Sequence, residues 1–403
     1  MVLQTTNTLM SSKFQDIKTP EQFADIAPYR GNDFKEAMKR LVKYPGFEHA
    51  VRYVMPDVDY PLFVQSLLQV KDQNEFQTVI MGRFLEMLAA STTNGISLDG
   101  EDNCKPGKSY TFMSNHRDIV LDPSFLNLCF IRSGMPVTQI AIGNNLLIYD
   151  WISDLVKVNR SFIVKRDVKV VKALEAAKQL SAYIHYTLLQ LHESVWIAQR
   201  EGRAKDSNDV TQESLIKMLA LAGEAPNLID KLLEINLMPV SISYEFDPND
   251  YLKAREFLLK RRDPEFKKTQ RDDLFSMETG LLSNKGRVHF RVCPCINDEL
   301  MRFESDDRAA ILRHTCELID KSIHCGYRIY PCNYIAFDEI NGTDRFASHY
   351  TSDDEQSFNN YIEQQLDRVD VDDITADERT FMRRMMLTMY ANPLTNQLAA
   401  SEC

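Results

Sequence analysis

Tyr110-Thr111-Phe112-Met113-Ser114-Asn115-His116-Arg117-Asp118-Ile119-Val120-Leu121-Asp122-Pro123 is the stretch on which the reading of the fold turns. It opens as a strand-like run. It closes on a helix-start signal, because Asp122 is a good N-cap and Pro123 suits the first helical position. A strand that passes through a short turn into a helix is half of a βα unit. The turn holds one imidazole, His116, with the carboxylates of Asp118 and Asp122 two and six positions after it. Read alone, such a histidine is more often a capping or surface residue. Oriented by a carboxylate at a strand's end, it can act as a general base, an effect worth on the order of 10²–10⁴ in rate.

The residues on either side extend the pattern. Strand-like runs recur at Val137–Ile142, Ser161–Val164, Ser194–Gln199, Pro239–Tyr244 and Val288–Val292. Between two of them Val170, Leu174, Ala177, Leu180, Ile184, Leu188 and Leu191 form one helical stripe. This alternation predicts an α/β fold with a mostly parallel sheet flanked by helices. Sites in such sheets lie beyond the carboxyl ends of the strands, where His116 falls.

Upstream, Phe34, Met38, Leu41 and Val42, and then Phe76, Ile80, Phe84, Met87 and Leu88, repeat at helical spacing. The polar stretch Ser91 to Lys108, with Asn94-Gly95 and Pro106-Gly107, reads as a loop or boundary. From about Ser348 the chain is acidic and helical. There Thr375 and Glu378 make a capping box for a helix bearing Phe381, Met385, Met386 and Met389, a face read first as packing. The expected organisation is a helical N-terminal region over 1–100, an α/β domain over 101–346 and an acidic helical C-terminal extension over 347–403.

The 403 residues suffice for this plan, and 44% hydrophobic with 26% charged is ordinary for a folded soluble protein. A net charge of −11 argues against general nucleic-acid binding. No stretch approaches the roughly 20 apolar residues of a spanning helix, and Met1 to Lys18 shows no signal segment. The cysteines are irregularly spaced, and Cys293-Pro294-Cys295 is not a zinc spacing. A reducing cytoplasm is the simplest setting.

Three further segments end strands in charge. Ser161–Val164 runs into Lys165 and Arg166. Trp196-Ile197-Ala198-Gln199 runs into Arg200, Glu201, Gly202, Arg203 and Lys205, and Leu237–Ser243 ends in Tyr244-Glu245. If these strands are neighbours, Lys165, Arg166, Arg203 and Lys205 converge near His116, a grouping suited to a phosphate beside a reacting hydroxyl. Gly202 would let the backbone approach that ligand closely.

These four segments, in this order over 111–245, resemble the glycerolipid acyltransferase superfamily, which includes glycerol-3-phosphate and 1-acylglycerol-3-phosphate acyltransferases. Ser114-Asn115-His116 through Asp122-Pro123 resembles its first motif, usually His-x4-Asp. Phe162–Arg166, Glu201–Arg203 and Pro239–Glu245 resemble the second, third and fourth. Here five residues separate His116 from Asp122, and Leu121 stands where the usual Asp would fall. Asp122 is then the preferred orienting carboxylate, reached by a one-residue bulge, with Asp118 the alternative. The third motif sets Arg203 one residue nearer Glu201 than usual.

The resemblance implies that His116 takes a proton from an acceptor hydroxyl, which attacks an acyl thioester of acyl carrier protein or coenzyme A. No cofactor and no metal are implied. Arg203, with Lys205, Lys165 and Arg166, would hold the acceptor's phosphate, and Glu201 and Gly202 would shape that pocket. The implied acceptor is glycerol 3-phosphate or its 1-acyl derivative. Transfer to another hydroxyl or an amine, as on an amino-acid lipid, and a catalytically silent binder of lipid or carrier protein are the other readings. The expected location is cytoplasmic, with a peripheral place on the cytoplasmic membrane face. Lys253 to Arg271 is a basic run that reads as a solvated helix face, or as a dock for carrier protein or anionic headgroups.

Overall fold

The computed structural model describes residues 18–166 and 169–402. Its centre is a seven-stranded sheet in the order β1-β7-β6-β2-β5-β3-β4. The strands are β1 (Ile96–Asp99), β2 (Thr111–Ser114), β3 (Gln139–Gly143), β4 (Ser161–Val164), β5 (Val195–Ala198), β6 (Leu237–Tyr244) and β7 (Val288–Val292). Every pairing is parallel except that of β6 with β7. The expected α/β class and mostly parallel sheet are thus observed.

Residues of β2 and β6 are buried throughout, as strands covered on both faces must be. Alternation along the pleat splits them between two cores. Met113, Phe162 and Ile197 face one, with Ile184, Leu219 and Ile319 from the helices. Phe112, Trp196 and Ile242 face the other, with Phe125, Leu128 and Phe290.

Ahead of the sheet lie α1 (Gly31–Leu41), α2 (Pro45–Val54), α3 (Tyr60–Leu68) and α4 (Gly82–Thr92). A π-helical turn over Phe76–Met81 leads into α4. Phe34, Met38, Leu41, Phe47 and Phe76 form a core of their own with Val158. The crossovers are α5 (Leu121–Arg132) from β2 to β3, α6 (Asp150–Val158) from β3 to β4 and α7 (Val170–Leu189) from β4 to β5. Next, α8 (Glu213–Leu219) and α9 (Leu228–Leu233) connect β5 to β6. Then follow α10 (Asp250–Arg262), α11 (Gln270–Leu282), α12 (Arg308–Cys325), α13 (Pro331–Asn341), α14 (Ser352–Asp367) and α15 (Ala376–Glu402).

Thr375 and Glu378 make the expected capping box at the start of α15. Met382, Met386 and Tyr390 pack with Leu258, Ile335 and Phe358, so of the expected face Met386 belongs to this core with Phe381 packed against it, while Met385 is only half-buried.

Two expectations need correcting. The stretch Ser91 to Lys108 is not all loop: it contains β1, a four-residue strand paired with β7 at the end of the described sheet. The cap of α5 is not Asp122. The helix starts at Leu121, and Asp118 accepts from the Val120 and Leu121 N–H groups at 2.9 and 2.8 Å. Asp122 sits inside the first turn with its carboxylate turned back to the preceding loop.

The basic run is largely neutralised. Lys253 pairs with Asp247, Arg255 with Asp272, Lys260 with Glu256, Arg261 with Asp377, Arg262 with Glu378 and Lys268 with Asp273. These pairs favour the ion-paired helix face over a dock. No helix among the described residues is long and apolar enough to cross a membrane.

Candidate active site at the carboxyl ends of the parallel strands

His116 leaves the carboxyl end of β2, and its imidazole Nδ1 lies 2.8 Å from Asp122 Oδ2. The same oxygen accepts the backbone N–H groups of Arg117 and Asp118 at 2.7 and 3.0 Å. An oxygen receiving two backbone donors is an acceptor for the third contact too, so Nδ1 carries a proton, which in the neutral imidazole leaves the Nε2 lone pair free. Leu121 is fully buried in the core beside α5. The extra residue between His116 and Asp122 is therefore absorbed, and Asp122 makes the contact that Leu121 cannot.

Asp118 does different work. One carboxylate oxygen caps α5, and the other accepts from Asn249 Nδ2 at 3.1 Å. Burial and then the Asp122 charge push its carboxyl upward, with Arg203 opposing. Tyr244, at the end of β6, is buried beside these carboxylates. Burial, then Asp122, drives its phenol well above its ordinary range.

Two hydrogen bonds lock the turn to the sheet. Asn115 Nδ2 donates to the Ile242 carbonyl at 2.9 Å and its Oδ1 accepts from Ile242 N at 2.8 Å. The Trp196 ring stands edge-on to the imidazole, with centroids 5.8 Å apart, and is fixed by its Nε1 donating to Ser114 Oγ at 3.0 Å. The imidazole plane is thus held from two sides.

His116 opens onto a cleft of about 690 Å3, within the roughly 300–1,000 Å3 usual for ligand sites. Its lining includes the apolar side chains of Ile140, Ile142, Ala177, Leu180, Leu215 and Met218. The charged residues of the lining are mostly cations, Lys165, Arg166, Arg200, Arg203, Lys205 and Lys268, beside Glu201 and Asp273. The sheet therefore brings all the cations named from the sequence to one cleft.

They are not equivalent there. Lys165 pairs with Asp25 at 2.5 Å and donates to Gln179 at 2.8 Å. Arg166 lies 3.6 Å from Glu201, itself largely exposed. Lys205 pairs with Glu256 at 2.9 Å. Burial and the neighbouring Arg203 lower its ammonium pKa to about 7.

Arg203 is buried, and among the described residues it has no ion-pair partner within 4.0 Å; its Nη1 has no hydrogen bond. A buried guanidinium without a carboxylate is an anion site in waiting. Gly202 has φ +69° with open space where a Cβ would go, so the glycine serves the backbone turn rather than clearance.

Four further residues belong to the site, none of them given a site role from the sequence. Arg200, whose buried Nε is unpaired, and Lys268 add charge to the cleft. Asn249 holds Asp118, and Tyr244 is buried beside both aspartates without a hydrogen bond to its hydroxyl among the described residues. Arg200 and Lys268 sit within segments already read as basic and Tyr244 ends a strand already named, whereas nothing local marks Asn249 for its contact with Asp118. Among the described residues no three His, Cys, Asp or Glu side chains are grouped to hold a metal ion.

No family model matches the chain, and no curated protein matches it. Among solved structures, the chain is similar to the 1-acyl-sn-glycerophosphate acyltransferase PlsC from Thermotoga maritima. The two share 13% sequence identity with a TM-score of 0.36, over 72% of this chain and 97% of that one.

Proposed function

We propose that this protein is an O-acyltransferase that moves a fatty acyl group from a thioester to the hydroxyl of glycerol 3-phosphate or 1-acylglycerol 3-phosphate. The observation that carries the reading is the His116–Asp122 contact at a cleft lined both by apolar side chains and by Arg203, which has no ion-pair partner among the described residues.

In this scheme His116 Nε2 takes the acceptor's hydroxyl proton as the oxygen attacks the thioester carbonyl. Asp122 keeps Nδ1 protonated and stabilises the imidazolium that forms. The tetrahedral intermediate collapses by breaking the C–S bond, and the imidazolium returns its proton to the departing thiolate. No acyl group is carried on the protein. Arg203 and Lys205 bind the acceptor's phosphate, with Arg200, Lys165 and Arg166 nearby, while Glu201 and Gly202 shape the turn that presents them. The acyl chain lies against the apolar side chains. The donor is acyl carrier protein or coenzyme A, and the protein works at the cytoplasmic membrane surface without spanning it.

The test is acyl transfer to a panel of glycerol 3-phosphate, 1-acylglycerol 3-phosphate and an amine acceptor, with both thioester donors. Wild-type transfer to a phosphate-bearing acceptor, lost in His116→Ala, supports the scheme. Undiminished transfer by His116→Ala removes it.

A further inference from the structure

Residues 199–212, which carry Arg203 and Lys205, contain neither helix nor strand. The base of this loop is closed by backbone bonds from Gln212 N to Gln199 O at 3.0 Å and from Gln199 N to Ser114 O at 2.8 Å. Its far side is held by the C-terminal helix. Asn392 Nδ2 donates to the Asp206 carbonyl at 2.7 Å, and Asn396 Nδ2 to Asn208 Oδ1 at 3.3 Å. An i, i+4 pair lies on one helix face, so both amides reach the same loop.

Between the two anchored residues, Ser207 is buried with φ +60°, a conformation that L side chains seldom adopt without support from their surroundings. Its carbonyl accepts from Arg117 Nη2 at 3.3 Å, and Arg117 follows His116 directly. Tyr390, on the same helix, donates to Asp250 at 2.8 Å and accepts from the Asp247 N–H at 3.1 Å. The end of α15 thus grips the backbone one residue beyond Lys205, while its own side chains stay outside the cleft.

We propose that Asn392 is a positioning residue for the cationic pair. Through the Asp206 carbonyl it fixes the loop in the conformation that presents Arg203 and Lys205 to an anion. Helix α15 then sets affinity for the anionic substrate without touching it. This rests on the anion role given to Arg203 and Lys205 above, but not on the acyl chemistry.

Asn392→Asp keeps the shape and replaces the donor with an acceptor facing a carbonyl. Asn392→Gln keeps the donor on a longer arm. In the full-length protein, Asn392→Asp should raise amide hydrogen exchange in 200–209 and weaken inorganic phosphate binding by about tenfold, with β2 and β5 exchange unchanged. Asn392→Gln should recover most of both. In the transfer assay KM for glycerol 3-phosphate should rise while kcat stays within about twofold. Wild-type exchange and phosphate affinity in Asn392→Asp overturn the proposal, as does an equal rise in β2 exchange. A wild type that binds phosphate but transfers no acyl group removes the acyltransferase reading and leaves this inference standing.

Discussion

A Cβ on Gly280 would stand 2.0 Å from Oδ2 of Asp118 and 3.1 Å from Asn249 Nδ2. Helix α11 therefore comes against the turn after His116 at a point where only a hydrogen fits. Asp118 cannot retreat, because its other oxygen holds the Val120 and Leu121 N–H groups. Gly280→Ala should cost about 1–3 kcal/mol in denaturant unfolding, the range for overpacking a rigid interior. Alanine is otherwise the better helix former, so a gain in stability would show that the contact yields easily.

Asp122 and Asp118 should separate cleanly as asparagine variants. Asp122→Asn removes the carboxylate that holds Nδ1–H and should lower the transfer rate by on the order of 10³ or more. Asp118→Asn can still cap α5 through its oxygen, but its amide then faces the Asn249 amide, donor against donor. That change should cost about 1–3 kcal/mol of stability, with the rate within a few-fold at temperatures where the protein is folded. Rates and unfolding curves on both variants decide it, and a rate collapse in Asp118→Asn alone would reverse the assignment.

Lys205 makes acceptor binding sensitive to pH near neutrality. Burial, and then the Arg203 charge, hold its ammonium pKa at about 7, well below that of an ordinary lysine. Above pH about 7 the folded protein sheds this proton while the unfolded chain keeps it until about 10.4. Stability on this account rises with pH across that window, whereas anion affinity falls. KM for a phosphate-bearing acceptor should climb by up to about tenfold per pH unit above 7, and Lys205→Arg, which stays charged, should flatten the climb. A wild-type KM flat from pH 6.5 to 9 would exclude Lys205 from the phosphate site.

The parts of this arrangement legible in the sequence are those written by local period. The strands β2 and β6 show as apolar runs because both faces are covered, and α7 shows through its stripe from Leu174 to Leu188. The expected Ser161–Val164 and Val288–Val292 match β4 and β7 to the residue. The strand β1 was illegible because Ile96-Ser97-Leu98-Asp99 is a short edge strand in polar surroundings.

At the site, the sequence order of His116, Lys165, Arg203 and Tyr244 could be read as a set because each follows or ends a strand of one sheet, with β5 and β6 flanking β2 and β4 lying beyond β3. What each side chain then meets was not readable. Lys165 turns to Asp25, Asp118 meets Asn249 131 residues away, and Asn392 reaches Asp206 186 residues away. Such partners are chosen by how layers pack, not by spacing along the chain.

Arg203 offers the sharpest division between stability and function. Its guanidinium is buried with no ion-pair partner within 4.0 Å among the described residues, a state that costs folding free energy because the hydration lost is only partly replaced by the more distant Asp118 charge. Methionine preserves an unbranched apolar stem while deleting the charge. Arg203→Met should therefore melt no lower than wild type, and higher if the cost is not offset elsewhere. The same change should raise KM for a phosphate-bearing acceptor on the order of 10²-fold, since truncating one partner of a buried charge pair typically costs several kcal/mol of binding. Arg203→Lys should fall between, keeping charge but not the two-pronged geometry. Calorimetric melting with KM on the three proteins is the measurement. A large drop in melting temperature for Arg203→Met would make Arg203 a structural residue and leave the cleft without its anion site.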